Sequence, residues 1–152
     1  MPNVIFYFDM LKLTELAPPE SIADDVVTLP YDDRQKRRLL INTDSGAKIG
    51  LFLPHGQVLR KGFVLTGPDQ YRVRIDAADE ALSVVRTGDA LQFAKACYHL
   101  GNRHIALQIL PGELRFLTDH VLDKMLEGLG LMVTHEVFPF EPEQGAYHGH
   151  GH

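Results

Sequence analysis

The side chains with the most chemistry to offer are imidazoles, and they gather in the C-terminal half. Of eight histidines, His99, His104, His120, His148, His150 and His152 lie there, while His55 and His135 stand apart. Neutral imidazole is the commonest protein ligand for a transition metal, so the question is whether these rings form a metal site. Cys97 and His99 look like a ligand pair, but residues two apart in a helix point about 200° away from each other and cannot close on one ion. Cys97 reads instead as a small core residue beside Ala90, Phe93, Ala94 and Leu100, and His99 as an exposed neighbour of Gln92 and Lys95. His104 follows Gly101 and Asn102, the residues expected to end a helix in left-handed geometry, and so sits in the connection to the next strand. Read alone, its default explanation is a loop histidine bonded to backbone, which spacing does not overturn. His120 falls in the first turn of a second helix, where the helix dipole disfavours imidazolium and keeps the neutral, ligand-competent ring populated. At the end of the chain His148, His150 and His152 alternate with glycine, whose backbone freedom lets a segment fold round an ion. An expression tag is the competing origin, but the alternation and the lead-in Glu143-Gln144-Gly145-Ala146-Tyr147 differ from a plain histidine tag.

Catalytic patterns are missing. There is no His-Glu-x-x-His, no Gly-x-Ser-x-Gly and no glycine-rich phosphate loop. A catalytic metal needs about three fixed ligands, an open position and a nearby acid or base. Isolated ligands on a mobile segment suit a carrier, which passes its ion on by exchanging ligands one at a time. With no paired thiolates, a borderline metal such as nickel, zinc or copper is expected, and affinity order alone does not choose among them. Two other classes remain open. A metal-dependent hydrolase would have to use Glu113 or Asp119, which read better as a turn residue and a helix cap; a metal-free interaction adaptor would bind no ion.

Composition bounds the rest. With 152 residues, 45% hydrophobic and 23% charged, the chain is long enough for one ordinary folded domain or two small ones. A net charge of -5 argues against nucleic acid as the main partner. The run Arg34-Gln35-Lys36-Arg37-Arg38 reads as a solvated loop entering a strand, ahead of a docking surface for an acidic partner. The single cysteine excludes an internal disulfide and fits a reducing compartment, here the cytoplasm. No apolar run approaches the roughly 20 residues of a membrane helix, and the apolar start at residues 4–8 is too short for a signal sequence, so no membrane association is expected.

The elements that must position these rings fall into two grammars. Residues 1–75 read as all-β, with strands expected at 4–8, 26–29, 38–43, 48–53 and 71–75 and a hairpin turn at Asp44-Ser45-Gly46. The acidic stretch 76–80 is taken as a junction. Beyond it the expected order is strand 81–86, a helix capped by Asp89 and running through Gly101, strands 105–110 and 113–117, a helix capped by Thr118 or Asp119, and strand 131–138. That is the βαββαβ order of a ferredoxin-like domain, residues 76–140, in an α+β protein. From Pro139 the composition of Pro, Glu, Gln and Gly reads as a mobile tail, residues 141–152.

The run Ala96-Cys97-Tyr98-His99-Leu100-Gly101-Asn102-Arg103-His104, with Leu107-Gln108-Ile109, Pro111-Gly112-Glu113-Leu114-Arg115, Asp119-His120-Val121-Leu122 and Pro139-Phe140-Glu141-Pro142-Glu143, followed by Gly145-Ala146-Tyr147, closely resembles the UreE family of urease accessory proteins. The resemblance covers most of residues 80–152, and the β-rich first half is compatible with that family's peptide-binding-like domain. It implies a nickel metallochaperone: a homodimer that delivers Ni(II) to the urease apoprotein complex together with the accessory GTPase, its β-rich half docking partners. It implies that His104 binds nickel with its symmetry mate across the dimer interface, that His148, His150 and His152 supply further ligands, and that His120 marks a secondary metal position. Two departures bear on this. The tail ends after three histidines, which argues against high-capacity storage, and Leu117 and Thr118 stand where some members have histidines, which thins the secondary position.

Overall fold

The computed structural model describes residues 10–54 and 56–144. The strand expected at residues 4–8 and His55, His148, His150 and His152 therefore lie outside the described residues. The chain divides into two compact units, Met1–Ala78 and Asp79–His152.

The first unit holds β1 (Leu11–Leu13), β2 (Glu15–Leu16), β3 (Asp25–Leu29), a single helical turn α1 (Tyr31–Arg34), β4 (Arg38–Asn42), β5 (Lys48–Phe52), β6 (Val64–Thr66) and β7 (Val73–Ala77). These make a three-stranded sheet of order β1-β5-β4 and a four-stranded sheet of order β2-β6-β7-β3. The hairpin expected at 44–46 joins β4 to β5. Gly46 takes a positive φ of 94° there and donates to the Thr43 carbonyl at 3.0 Å, the backbone that glycine adopts at no steric cost. Alternation works as expected in β7, where Val73, Ile75 and Ala77 are buried and Arg74 is exposed, although pairing begins two residues later than the alternation does. Leu13, Val27, Ile49, Leu51, Leu65 and Ile75 lie in one core. Gly67 passes so close to β1 that a Cβ there would stand 1.9 Å from the Lys12 carbonyl oxygen, so no other residue fits without moving the backbone.

Two polar features of this unit differ from what composition suggests. Arg34 does not belong to the solvated basic run. It is wholly buried, with Nε donating to the Leu29 carbonyl at 3.1 Å and an η nitrogen donating to the Leu59 carbonyl at 3.2 Å. The exposed positives are Lys36, Arg37 and Arg38, and Lys36 is paired with Asp33 at 3.0 Å. Asp25, almost buried, accepts from Thr43 Oγ1 at 2.6 Å, from Ser45 Oγ, from Tyr71 OH at 2.9 Å and from the Val26 amide at 2.8 Å. Burial alone would raise its carboxyl, but these four donors outweigh it and hold the group well below the usual carboxylate range.

The second unit runs β8 (Asp79–Arg86), α2 (Ala90–Gly101), β9 (Gln108–Leu110), β10 (Glu113–Leu117), α3 (His120–Gly128) and β11 (Val133–Pro139). Its sheet has the order β11-β8-β10-β9 with every pairing antiparallel, the ferredoxin-like arrangement. The protein is thus α+β, as expected. Both helices start where a carboxylate can satisfy their free amides. Asp89 accepts from the amides of Leu91 and Gln92, and Asp119 from those of Val121 and Leu122. Ala96 and Leu100 of α2 and Leu122 and Leu126 of α3 pack in one core with Val85, Leu114 and Phe116. Ala90 and Ala94, expected on the apolar side of α2, are exposed instead, and Ala96 takes the buried position. The strand expected from residue 105 begins only at Gln108.

The segment after β11 corrects the tail reading. Phe140 is wholly buried and Pro142 is buried. The Glu141 amide donates to Gln108 Oε1 at 3.1 Å and the Glu143 amide to the Leu107 carbonyl at 2.8 Å. Because β11 and β9 are opposite edges of the sheet, residues 140–143 cross its whole width as a strap.

Candidate metal-carrying site

His104 stands at the exit of α2. The helix does not end in left-handed geometry at Gly101 or Asn102. Gly101 is still helical, and Asn102 has a right-handed backbone, φ -68° and ψ -15°. Tight turns then carry the chain on: the Asn102 amide donates to the Tyr98 carbonyl at 3.0 Å, Arg103 to Leu100 at 3.1 Å and His104 to Gly101 at 3.0 Å. The reversal is made by His104 itself, at φ 56°. A side-chain-bearing residue there costs on the order of 1 kcal/mol relative to an ordinary conformation, and the ring is left exposed.

His120 is the first residue of α3, exposed, with Asp119 as its cap. A groove of about 270 Å³ is lined by Ile105, Ala106, Phe116, Leu117, Thr118, Asp119 and Leu122. Its lining includes the sequence neighbours of both histidines, Ile105 after His104 and Asp119 before His120. The same unit carries exposed apolar side chains: Tyr98 in the last turn of α2, Leu117 at the end of β10 and Val121 in the first turn of α3. Among the described residues, no three His, Cys, Asp or Glu side chains converge in a way that could hold an ion. Neither His104 nor His120 belongs to such a group, and the tail histidines fall outside the described residues.

Cys97 is half-buried at the rim of the core, and burial pushes its thiol up, away from the thiolate form that binds metal. His99 is half-buried too, and not exposed as its neighbours suggest; the Tyr98 and His99 rings meet edge-on with centroids 5.3 Å apart. Neither joins a site. The acids that a hydrolase would need are already committed. Asp119 is occupied as a helix cap. Glu113, in β10 and not in a turn, accepts from Arg86 Nε at 2.8 Å and Arg115 Nε at 2.5 Å; burial raises its carboxyl, but the two guanidinium groups prevail and hold it low, the wrong direction for a general acid.

A polar cluster that sequence reading passes over lies beneath α3. Ser83, wholly buried, donates to Asp123 Oδ1 at 2.7 Å, and His135 Nε2 lies 2.7 Å from Asp123 Oδ2. Its signal was a serine in an apolar strand and an aspartate on the core side of an amphipathic helix. Ser83 and His135 are directly opposite in the β8–β11 ladder, so the cluster closes the helix onto the sheet. On the other face of that sheet, Arg86 reaches Glu136 at 2.7 Å and Glu113, and the Arg115 guanidinium stacks 3.9 Å from the Phe138 ring centroid.

Comparison with known proteins agrees with this two-unit architecture. The model of the UreE urease accessory protein N-terminal domain matches residues 11–78, and that of its C-terminal domain matches residues 80–152. The chain is 54% identical over 140 residues to the urease accessory protein UreE of Alkalilimnicola ehrlichii, covering 92% of this chain and 86% of the relative. It is 50% identical over 148 residues to the protein of that name from Citrobacter koseri, covering 94% and 97%, and 48% identical over 149 residues to that from Escherichia coli O157:H7, covering 94% and 96%. Among the described residues no helix is long and apolar enough to cross a membrane.

Proposed function

This chain belongs to the UreE family of urease accessory proteins, with a role in urease maturation, and from that premise we propose that it is a homodimeric carrier of Ni(II) for the urease active site. The observation that carries the reading is the exposed imidazole of His104, held at a positive φ that glycine would occupy at lower cost. Such a position is kept for its side chain. One imidazole does not hold an ion, and no second and third ligand converge on it within the described residues. A two-fold axis supplies the second His104 without further sequence, and the exposed Tyr98, Leu117 and Val121 of the same unit are apolar surface that a partner copy could cover.

The tail histidines His148, His150 and His152 add ligands to this pair. Glu143 is bonded to Leu107, three residues from His104, and His148 is the fifth residue after it, a span of at most about 18 Å. Reach is therefore no obstacle. His120 serves as an auxiliary ligand. The ion is cargo, bound by few imidazoles so that it can leave by ligand exchange, and zinc and copper, which imidazole also suits, compete for the same nitrogens. The urease apoprotein complex and the accessory GTPase are the recipients, met through the β-rich unit in the cytoplasm. That unit offers an apolar groove of about 450 Å³ beside edge strand β2, lined by residues that include Leu16, Pro19 and Phe63, of the kind that takes an added peptide strand.

Nickel titration by calorimetry tests the reading. His104→Ala is expected to abolish the tightest site of the dimer, and removal of residues 147–152 to lower the number of ions bound while leaving one that bridges the dimer. Unchanged affinity and stoichiometry in His104→Ala would overturn it.

A further inference from the structure

We propose that the outer face of the three-stranded sheet β1-β5-β4 is a docking surface for an acidic, extended segment of a partner protein. It is a second surface of the β-rich unit, apart from the groove beside β2, and it does not depend on where nickel binds. In this sheet Leu13, Ile41, Ile49 and Leu51 turn inward to the core. Alternation and register then put Lys12 of β1, Arg38, Leu40 and Asn42 of β4, and Lys48, Gly50 and Phe52 of β5 on the opposite face. Every charged residue among these is a cation, in a chain whose net charge is -5. Lys12, Arg38 and Lys48 are all exposed. The fold thus breaks up the basic run of the sequence: Arg34 goes to the core, Lys36 pairs with Asp33, and Arg38 joins two lysines brought from other strands.

The middle of the face is apolar. Lys12, Gly50 and Leu40 lie abreast on the three strands. A Cβ on Gly50 would stand 2.7 Å from the Phe52 ring, 3.1 Å from Met10 Sδ and 3.2 Å from Leu40 Cδ2, so these three side chains converge over the glycine. They do not seal the face, because Leu40 remains 68% exposed. Among the described residues no strand pairs with the outer side of β4. The partner's chemistry follows from charge and spacing. Strands about 4.8 Å apart, with about 6.8 Å between every second residue, set the three cationic positions on the order of 8–14 Å from one another. Carboxylates two to four residues apart on an extended chain span about 7–14 Å, and a large apolar side chain between them would seat on Leu40 and Phe52. Opposite potentials would steer such a segment to the face. Nucleic acid is poorly served, since its closely spaced phosphates call for a longer basic track in a less acidic protein. The face covers roughly 200 Å², from the strand spacing, which places the contact among weak and transient ones.

A random dodecapeptide library displayed on phage tests this without presupposing a partner sequence. It is selected on the full-length protein and counter-selected on the Lys12→Glu/Leu40→Ser/Lys48→Glu variant. The surviving peptides should carry two or more carboxylates, two to four residues apart, around a large apolar residue. One of them, made synthetically and followed by fluorescence anisotropy, should bind Lys12→Glu/Lys48→Glu about tenfold more weakly than wild type. Leu40→Ser should cost about fivefold. Raising the salt from about 0.05 M to about 0.3 M should weaken wild-type binding severalfold. The substituted residues are all exposed, so each variant should keep the wild-type urea midpoint. Nickel titration should be the same in all of them, which separates this surface from the carrier reading. Selection of neutral or basic peptides, or affinities that ignore these substitutions, would refute the proposal. Three other occupants would do so as well. Equally tight binding of single-stranded DNA would make the face a general polyanion site. Peptide binding that emerges only after removal of residues 1–9 would give the face to the chain's own first segment. Assemblies larger than the dimer that dissolve in Leu40→Ser would give it to a further copy of the protein.

Discussion

Replacing His104 by glycine and by alanine separates the cost of its backbone from the use of its ring. Both variants lose the imidazole and should lose nickel equally. They differ in the folded chain, because alanine must hold φ near 56° with a Cβ in place and glycine need not. The left-handed conformation costs an L-residue about 1–2 kcal/mol. Glycine gives back about 0.5–1 kcal/mol through the larger entropy of its unfolded state. The balance makes His104→Gly the more stable by about 0.5–1 kcal/mol. With a urea slope of roughly 1 kcal/mol per M for a unit of this size, its midpoint should lie about 0.5–1 M above that of His104→Ala. The comparison is to be made on metal-free protein at one fixed protomer concentration, since ligand and dimerisation both shift apparent stability by mass action. The wild-type protein should be no more stable than the glycine variant. Equal midpoints, or a higher one for alanine, would refute the idea that His104 is kept at a conformational cost.

Two predictions concern carboxylates. Asp25→Ala removes the acceptor of three hydroxyl groups and one amide and should destabilise the first unit by about 3 kcal/mol, read from urea unfolding. Because the native carboxyl is held below its unfolded value, this stabilisation is fully present above about pH 4 and fades as pH falls; an Asp25→Ala gap that grows on acidification would contradict it. Glu136 is drawn down to about 2 by hydrogen bonds from Arg86 and Thr134, against a small opposing effect of desolvation. The difference in urea midpoint between wild type and Glu136→Gln should therefore be level above about pH 4.5 and shrink as pH falls towards 2, and a difference that grows on acidification would have another origin.

Local signals that carry a physical cause were legible. Asp89 and Asp119 each precede an apolar helical period and each caps its helix through the same carboxylate geometry. The ferredoxin-like order followed from those two helices and the strands between them. β1, β2 and β6, two or three residues long, are too short to show alternation, and pairing of distant residues defines them. Arg34 sits in a run of cations that looks solvated, and only the carbonyls of Leu29 and Leu59, the latter 25 residues away, reveal why it is inside. At the site, His104 stood out through the Gly-Asn-Arg-His run, but its backbone did not. Gly101 and Asn102 are better left-handed residues by type, yet the turns to Tyr98, Leu100 and Gly101 postpone the reversal to the histidine. The strap was hidden by composition, since one buried Phe140 decides the path of a segment otherwise made of Pro, Glu and Gln.

That path has a practical side for anyone labelling the protein. Whatever is appended after His152 begins its course from Glu143, pinned at Leu107 beside the turn that carries His104. A polyhistidine purification handle at this end would add foreign imidazoles to the proposed carrier, inflating nickel counts and masking the loss expected from His104→Ala. A cleavable handle at the other end of the chain, or a non-coordinating one here, keeps the measured ions those of the protein.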